Sequence, residues 1–195
     1  MRSSQQNVRS ILTDEYLKAF VLSYIKYNRD CMGETTKIRE IAAKYCVGKG
    51  VDLGCGADKI TPGTWGFDLP EPYFIDGNDR PEMKGDARIL PFNDGVLDYV
   101  YSSHLLEDFP NTDDVVNEWL RVLKLGGKLI LYMPNEQKYR RYCEATGQVY
   151  NLHHAIAEMS LDYMKEVFFP KSVKIIDGLE EHADYSFFIV VEKSR

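Results

Sequence analysis

Long hydrophobic runs are missing from this chain: no apolar stretch approaches the roughly 18 residues that a membrane span requires, and the opening Met-Arg-Ser-Ser-Gln-Gln has no apolar run behind its charge. A basic surplus is missing too. Lys plus Arg number 24 against 30 Asp plus Glu, a formal net charge of −6, which gives no general attraction to nucleic acid or anionic lipid. Cysteine is scarce and forms no recognisable pattern. Cys31, Cys46, Cys55 and Cys143 lie 15, 9 and 88 residues apart, with no CxxC pair and no histidine spacing suited to zinc, so free and mostly buried thiols are expected and no metal. Internal repeats, low-complexity tracts and linker-like shifts in composition are also absent. These absences point to a soluble cytoplasmic protein without a membrane span.

What is present fits one domain. A chain of 195 residues with 44% hydrophobic and 28% charged residues is too apolar for intrinsic disorder. At this length about 70% of the unfolded surface can be buried, so the core needs no disulfide or metal staples.

Apolar residues at helical spacing after Thr13 (Leu17, Phe20, Val21, Tyr24 and Ile25) predict a first helix, and Ile38, Ile41, Ala42 and Tyr45 predict a second over 36–46. The pattern then changes. Strands are expected at Gly50–Leu53, Thr64–Phe67, Leu97–Ser102, Lys128–Met133, Val173–Ile176 and Ser186–Glu192. An amphipathic helix capped by Asn111 or Thr112 buries Val115, Val116, Trp119, Leu120 and Leu123 and is expected to stop at Gly126-Gly127. Another helix is expected near 160–169. Strands alternating with helices imply an α/β domain with a mainly parallel sheet and helices on both faces. Residues 1–48 would form N-terminal helices, 49–135 the core, and 136–195 the remaining strands and an acceptor-side region.

Chemistry concentrates at the strand ends. Asp52-Leu53-Gly54-Cys55-Gly56 ends a strand in a glycine turn, where a ligand can approach the backbone and an acid can accept from an ammonium group. Phe67-Asp68-Leu69 puts a carboxylate at the end of the next strand, placed to accept two ribose hydroxyls. Gly85-Asp86-Ala87 and Leu90-Pro91-Phe92 then precede the strand that ends in Ser102-Ser103-His104.

This series resembles the class I S-adenosylmethionine-dependent methyltransferases, a Rossmann-like superfamily. The resemblance runs from about Val51 to Asn135 in VDLGCG, FDL, GDARILPF, LDYVYSSHLLEDF and LKLGGKLILYMPN. It implies that S-adenosyl-L-methionine is the cofactor. Asp52 and Gly54, Cys55 and Gly56 would hold its methionine end, Asp68 with Leu69 the ribose, and Asp86 and Ala87 the adenine. Ser102, Ser103 and His104 would face the sulfonium and its methyl group. It also implies an antiparallel last strand. One departure stands out: only 12 residues separate Gly56 from Asp68, too few for the usual crossover helix, and Asp58 stands where a third glycine is common. The shortened GCGADKITPGTWGFDL resembles a subgroup of small methyltransferases found with cell-surface polysaccharide genes. The ribose edge is then either open or covered by the N-terminal helices or a partner chain.

Each residue also has a plainer reading. Asp52 and Asp68 could be solvated strand-end carboxylates, Asp86 a turn residue and His104 a packing or capping residue. Glu107 and Asp108 are expected to form a solvated acidic edge, and Lys138, Arg140 and Arg141 a solvated helix face. His153 and His154 follow the fifth strand, where this superfamily commonly contacts the acceptor. Either could serve as a base, whereas a shared metal is disfavoured because adjacent side chains on extended backbone point opposite ways. The expected activity is methyl transfer to a small molecule or glycan intermediate, at oxygen. The alternatives are a non-catalytic cofactor-binding scaffold or sensor and a methyltransferase acting on protein or RNA. DNA amino-methylation is disfavoured because Met133-Pro134-Asn135-Glu136 departs from the Asp-Pro-Pro-Tyr type of motif. A nicotinamide enzyme is disfavoured because Lys59 stands where GxGxxG needs its last glycine. Homo-oligomerisation is left open.

Overall fold

Strands whose side chains are apolar on both faces need a layer on each side, and this requirement organises the molecule. The computed structural model describes residues 33–69 and 81–194; the helix expected after Thr13 and Cys31 lie outside them. The strands are β1 (Gly50–Leu53), β2 (Trp65–Asp68), β3 (Met83–Lys84), β4 (Leu97–Ser103), β5 (Leu123–Pro134), β6 (Val173–His182) and β7 (Ser186–Lys193). They form one seven-stranded sheet in the order β3-β2-β1-β4-β5-β7-β6. Pairings are parallel from β3 across to β5, and β7 runs antiparallel to both β5 and β6.

Period-2 alternation sends Val100, Leu129, Leu131, Met133, Phe187, Ile189 and Val191 to one core. It sends Tyr99, Tyr101, Ile130, Tyr132, Phe188 and Val190 to the other. The first core is covered by α2 (Thr112–Val122) and α4 (Leu161–Phe168). On α2, Asp113 and Asp114 sit in the first turn, where the helix dipole favours acids. Trp119 is fully buried and its indole N–H donates to the Ala87 carbonyl at 2.8 Å.

The second core is covered by α1 (Glu34–Ala42), through Ile38 and Ala42. No helix connects β1 to β2; residues 54–64 are turns and bends. Arg39 of α1 holds that link by donating to the carbonyls of Lys59 and Ile60 and pairing with Asp58, whose other oxygen accepts from Thr36 at 2.6 Å. Thus α1 covers the face that the short link leaves bare. The remaining helix, α3 (Glu136–Thr146), begins at an Asn135 cap, whose side chain accepts from the Lys138 N–H, and ends at Gly147 with φ 73°.

Several boundaries differ from expectation: β6 runs on to His182 rather than ending at Ile176, and α1 ends at Ala42 rather than near residue 46. α2 ends at Val122, and β5 starts at Leu123, which is fully buried and pairs with Leu97; sheet pairing takes these residues before the glycines can end the helix. β3 spans two residues and carries no periodicity to detect. No helix among the described residues is long and apolar enough to cross a membrane.

Replacing Trp119 with Ala removes a fully buried aromatic and strands the Ala87 carbonyl. Loss of about 3–5 kcal/mol is expected in urea unfolding, against a smaller loss for Trp119→Phe, which keeps most of the packing. Equal stability of Trp119→Ala and wild type would refute this placement.

Candidate active site

Parallel strands leave their carboxyl ends unpaired at one sheet edge, and the loops leaving β1, β2, β3 and β4 meet there. After β1 the chain turns through Gly54 at φ 69° and Gly56 at φ 51°, conformations in which a side chain would be strained. Neighbouring strands fix this turn: the Gly54 N–H donates to the Phe67 carbonyl at 2.8 Å, and the Gly85 N–H to that of Asp68 at 2.8 Å. Asp68 binds two backbone groups. One oxygen accepts from the Gly56 N–H at 2.8 Å and the other from the Leu69 N–H at 2.7 Å. Each carboxylate oxygen has capacity for a further hydrogen bond.

The cleft at this edge has a volume of about 480 Å³ and is bordered by Gly54, Gly56, Phe67, Asp68, Leu69, Gly85, Asp86, Ala87 and Arg88 along one stretch. His104, Leu105, Asp108, Phe109, Asn151 and His153 border the rest. Eight of the residues singled out from the sequence for cofactor or acceptor therefore share one cavity: Gly54, Gly56, Asp68, Leu69, Asp86, Ala87, His104 and His153. Arg88 forks onto Asp86, at 2.9 Å and 3.0 Å from Nε, and holds that carboxyl below its ordinary range. Leu69, Ala87, Leu105 and Phe109 supply apolar wall.

The other singled-out residues lie behind the cleft wall. Asp52 is 1% exposed and accepts from the Ile60 N–H at 2.7 Å; burial pushes its carboxyl up to about 8. Cys55 is buried under Gly66, and burial pushes its thiol up to about 12, which leaves it unreactive near neutral pH. Ser102 is buried and donates to the Leu53 carbonyl at 3.1 Å, and the Ser103 hydroxyl is also buried. His154 diverges from its neighbour: His153 is exposed at the cleft, whereas the His154 side chain is 5% exposed with Nδ1 2.9 Å from Glu136.

His104 is the residue of the set held most tightly. Its backbone has φ 49°, its N–H donates to the Tyr132 carbonyl at 2.8 Å, and its ring lies between Tyr132 and Tyr185. Nε2 is 3.1 Å from the Ser186 hydroxyl and 3.4 Å from Glu34. Burial lowers its pKa to about 4, so the ring is neutral at physiological pH.

The expected solvated acidic edge is not there. Glu107 is 0% exposed, and Asp108 is half-buried at the cleft. The 3-10 turn Leu106–Asp108 directs Glu107 inward, where its backbone carbonyl accepts from the Ala155 and Ile156 N–H groups. Glu136 joins it in the interior and half-buried Glu34 stands beside His104; neither shows in sequence more than an ordinary helix-start acid.

Comparison with known proteins fits this geometry. The sequence model for a methyltransferase domain matches residues 51–131. Residues 51–131 form a methyltransferase domain of the class I S-adenosylmethionine-dependent superfamily. A curated protein that the chain resembles is the sterol 4-C-methyltransferase of Caenorhabditis elegans, 45% identical over 50 residues, which are 26% of this chain and 15% of that protein. Among solved structures, an S-adenosylmethionine-dependent methyltransferase from Thermotoga maritima superposes with a TM-score of 0.62 at 17% identity, covering 91% of this chain and 98% of that one. The [4+2]-cyclase SpnF superposes with a TM-score of 0.56 at 14% identity, covering 80% of each chain. These structural likenesses establish the fold. S-adenosylmethionine is the cofactor of this domain type, and the glycine turn, the Asp68 carboxylate and the apolar slot at Ala87 suit its amino-acid, ribose and adenine parts.

The Asp52 environment yields a pH test. The unfolded carboxyl ionises near pH 4 while the folded one keeps its proton to about 8, so the folded state binds more protons between these values and loses stability as pH rises. Asp52→Asn removes this dependence. Urea midpoints of the two proteins should be similar near pH 4 and increasingly favour the Asn variant toward pH 8; a constant difference would contradict the buried, proton-bearing carboxyl.

Proposed function

We propose that the protein transfers a methyl group from S-adenosyl-L-methionine to oxygen in a small molecule or glycan intermediate, as a soluble cytoplasmic enzyme. The single observation that carries this is one cleft bordered both by Gly54, Gly56, Asp68, Asp86 and Ala87 and by His104, Asp108, Asn151 and His153. A donor end and a polar acceptor end share one cavity of a size ordinary for small-molecule sites. The bound cofactor supplies a methyl carbon already activated by the sulfonium charge.

The chain's own task is then alignment of acceptor and methyl carbon. Asp68 accepts two ribose hydroxyls while its hold on the Gly56 N–H keeps the turn shaped for the ligand. Ala87 and Leu69 receive the adenine, with Asp86 accepting from its amino group once Arg88 gives way or shares it. Asn151, His153 and Asp108 are placed to orient a hydroxyl-bearing acceptor beside the neutral His104 ring. The reserve of acid in the composition argues against an RNA acceptor.

S-adenosylhomocysteine should bind with micromolar-order affinity in isothermal titration and raise the melting temperature. Asp68→Ala should weaken that binding more than tenfold, since each lost hydrogen bond to a charged group is worth about 1.5–3 kcal/mol. Asp58→Ala, at a residue held by Arg39 and absent from the cleft wall, should change it much less. No binding at millimolar ligand by folded protein would overturn the cofactor site. Incubation with methyl-labelled donor and a metabolite extract then separates enzyme from non-catalytic scaffold, because only the enzyme yields labelled product.

A further inference from the structure

Methyl transfer to an O–H group releases a proton, and the cleft-side His104 retains one poorly. Behind it lies a row of alternating imidazoles and carboxyls. His104 Nδ1 is 3.7 Å from Glu107 Oε1, and the same oxygen is 3.8 Å from His154 Nε2. On its other side, His154 Nδ1 is 2.9 Å from Glu136 Oε2. Glu136 then accepts from the Tyr150 hydroxyl and from Arg140 at 3.2 Å, and the Arg140 side chain is 52% exposed. The row runs from the cleft to solvent without a gap wider than 3.8 Å.

Glu107 is the anomaly that gives the row a purpose. It is 0% exposed, and among the described residues neither carboxyl oxygen has a hydrogen-bond partner beyond Glu107's own backbone N–H. Burying an unpaired carboxylate is costly, and keeping the group protonated avoids that cost. The charged groups around it agree: Glu34 from α1, Asp108 from its own turn and Glu136 from α3 all repel a second negative charge. Lys37 lies on the far side of Glu34 and pairs with that residue at 2.7 Å. Burial and these acids together raise the Glu107 carboxyl well above its ordinary range. A structural role alone does not call for an acid here, since among the described residues no other residue hydrogen-bonds the Glu107 side chain.

We propose that Glu107 is a protonated link in a proton relay, His104–Glu107–His154–Glu136, that carries the acceptor's proton out of the cleft. The step rests on the methyl-transfer reading and balances as follows. The acceptor oxygen attacks the methyl carbon, the carbon–sulfur bond breaks toward sulfur, and the acceptor's proton goes to His104 Nε2 as that nitrogen gives up its 3.1 Å contact with the Ser186 hydroxyl. His104 gives its Nδ1 proton to Glu107 as Glu107 gives its own to His154 Nε2, and His154 passes its Nδ1 proton to Glu136. One proton crosses and no electrons leave the chain of bonds. Small movements close the two gaps, from 3.7 and 3.8 Å to the roughly 2.7–3.2 Å of a hydrogen bond. In this scheme Glu107, His154 and Glu136 are positioning residues acting through His104.

The relay can be tested without knowing the acceptor, because a connected row also exchanges protons with water. With histidine-ring 15N labelling and bound S-adenosylhomocysteine, NMR saturation transfer reads the exchange of each imidazole N–H with solvent. Wild type should show rapid exchange at His104 despite its burial. Glu107→Gln, which keeps shape and removes the transferable proton, should slow His104 exchange at least tenfold while leaving His154 exchange and S-adenosylhomocysteine affinity within about twofold. His154→Gln breaks the next link and should slow His104 in the same way, so the test survives if one variant fails to fold. Glu107→Asp should recover part of the rate, which a merely structural contact would not require. Unchanged His104 exchange in a folded variant overturns the relay, whereas failure of wild type to bind S-adenosylhomocysteine overturns the methyltransferase reading instead.

Discussion

The clamp that Arg39 places on the link between β1 and β2 is the constraint on which the site depends. Too few residues separate Gly56 from Asp68 to build a covering helix, so the sheet face beneath them must be covered from elsewhere. α1 does this with Ile38 and Ala42, and Arg39 ties the helix to the carbonyls of Lys59 and Ile60. The same rigid helix carries Glu34 at its first turn to the Tyr185 hydroxyl, 2.9 Å away, and to His104. A shortened connection thereby reaches both ends of the cleft, the glycine turn at one and the histidine at the other.

The two faces of the sheet are not equivalent. The face under α2 and α4 is packed with aliphatic side chains, phenylalanines and Trp119, while the face under α1 is rich in tyrosines whose hydroxyls find partners. Thr64 lies 2.6 Å from the Tyr99 hydroxyl, and the Tyr132 hydroxyl lies 3.0 Å from His182 Nδ1. Buried tyrosine is tolerable only with such partners. The polar interior that holds Glu107 and Glu136 continues this side toward the cleft, with Tyr139 and Tyr150 packed around His154.

Much of the fold was legible because its signals are local. A buried strand running into Gly54-Cys55-Gly56, an acid after Phe67, and the paired apolar positions of α2 each declare themselves within a few residues. The parallel sheet with its antiparallel strand followed from their order and from the family resemblance. What was not legible depends on residues far apart in sequence. Glu107 and Glu136 each stand beside other polar residues and look like surface acids; only the packing of the turn after β4 and the start of α3 buries them, with half-buried Glu34 of α1 nearby. Likewise nothing near Ser102 shows that its hydroxyl turns to the Leu53 carbonyl, or that Asp52 faces the Ile60 amide. The end of α2 was misjudged for the same reason, since pairing of Leu123 with Leu97 is a tertiary event that overrides the local stop at Gly126.

The indole of Trp119 reaches past its own core to hold the carbonyl of Ala87, a residue of the cleft wall. That wall is therefore anchored to the least deformable part of the molecule, a fully buried ring on a packed helix. Its conformational freedom is already spent when the protein folds. A ligand that settles against Ala87 meets a surface with little entropy left to lose, and more of its contact energy appears as affinity. By the same logic, loosening of the core at α2 would be felt as weaker binding in a cleft that no α2 residue lines.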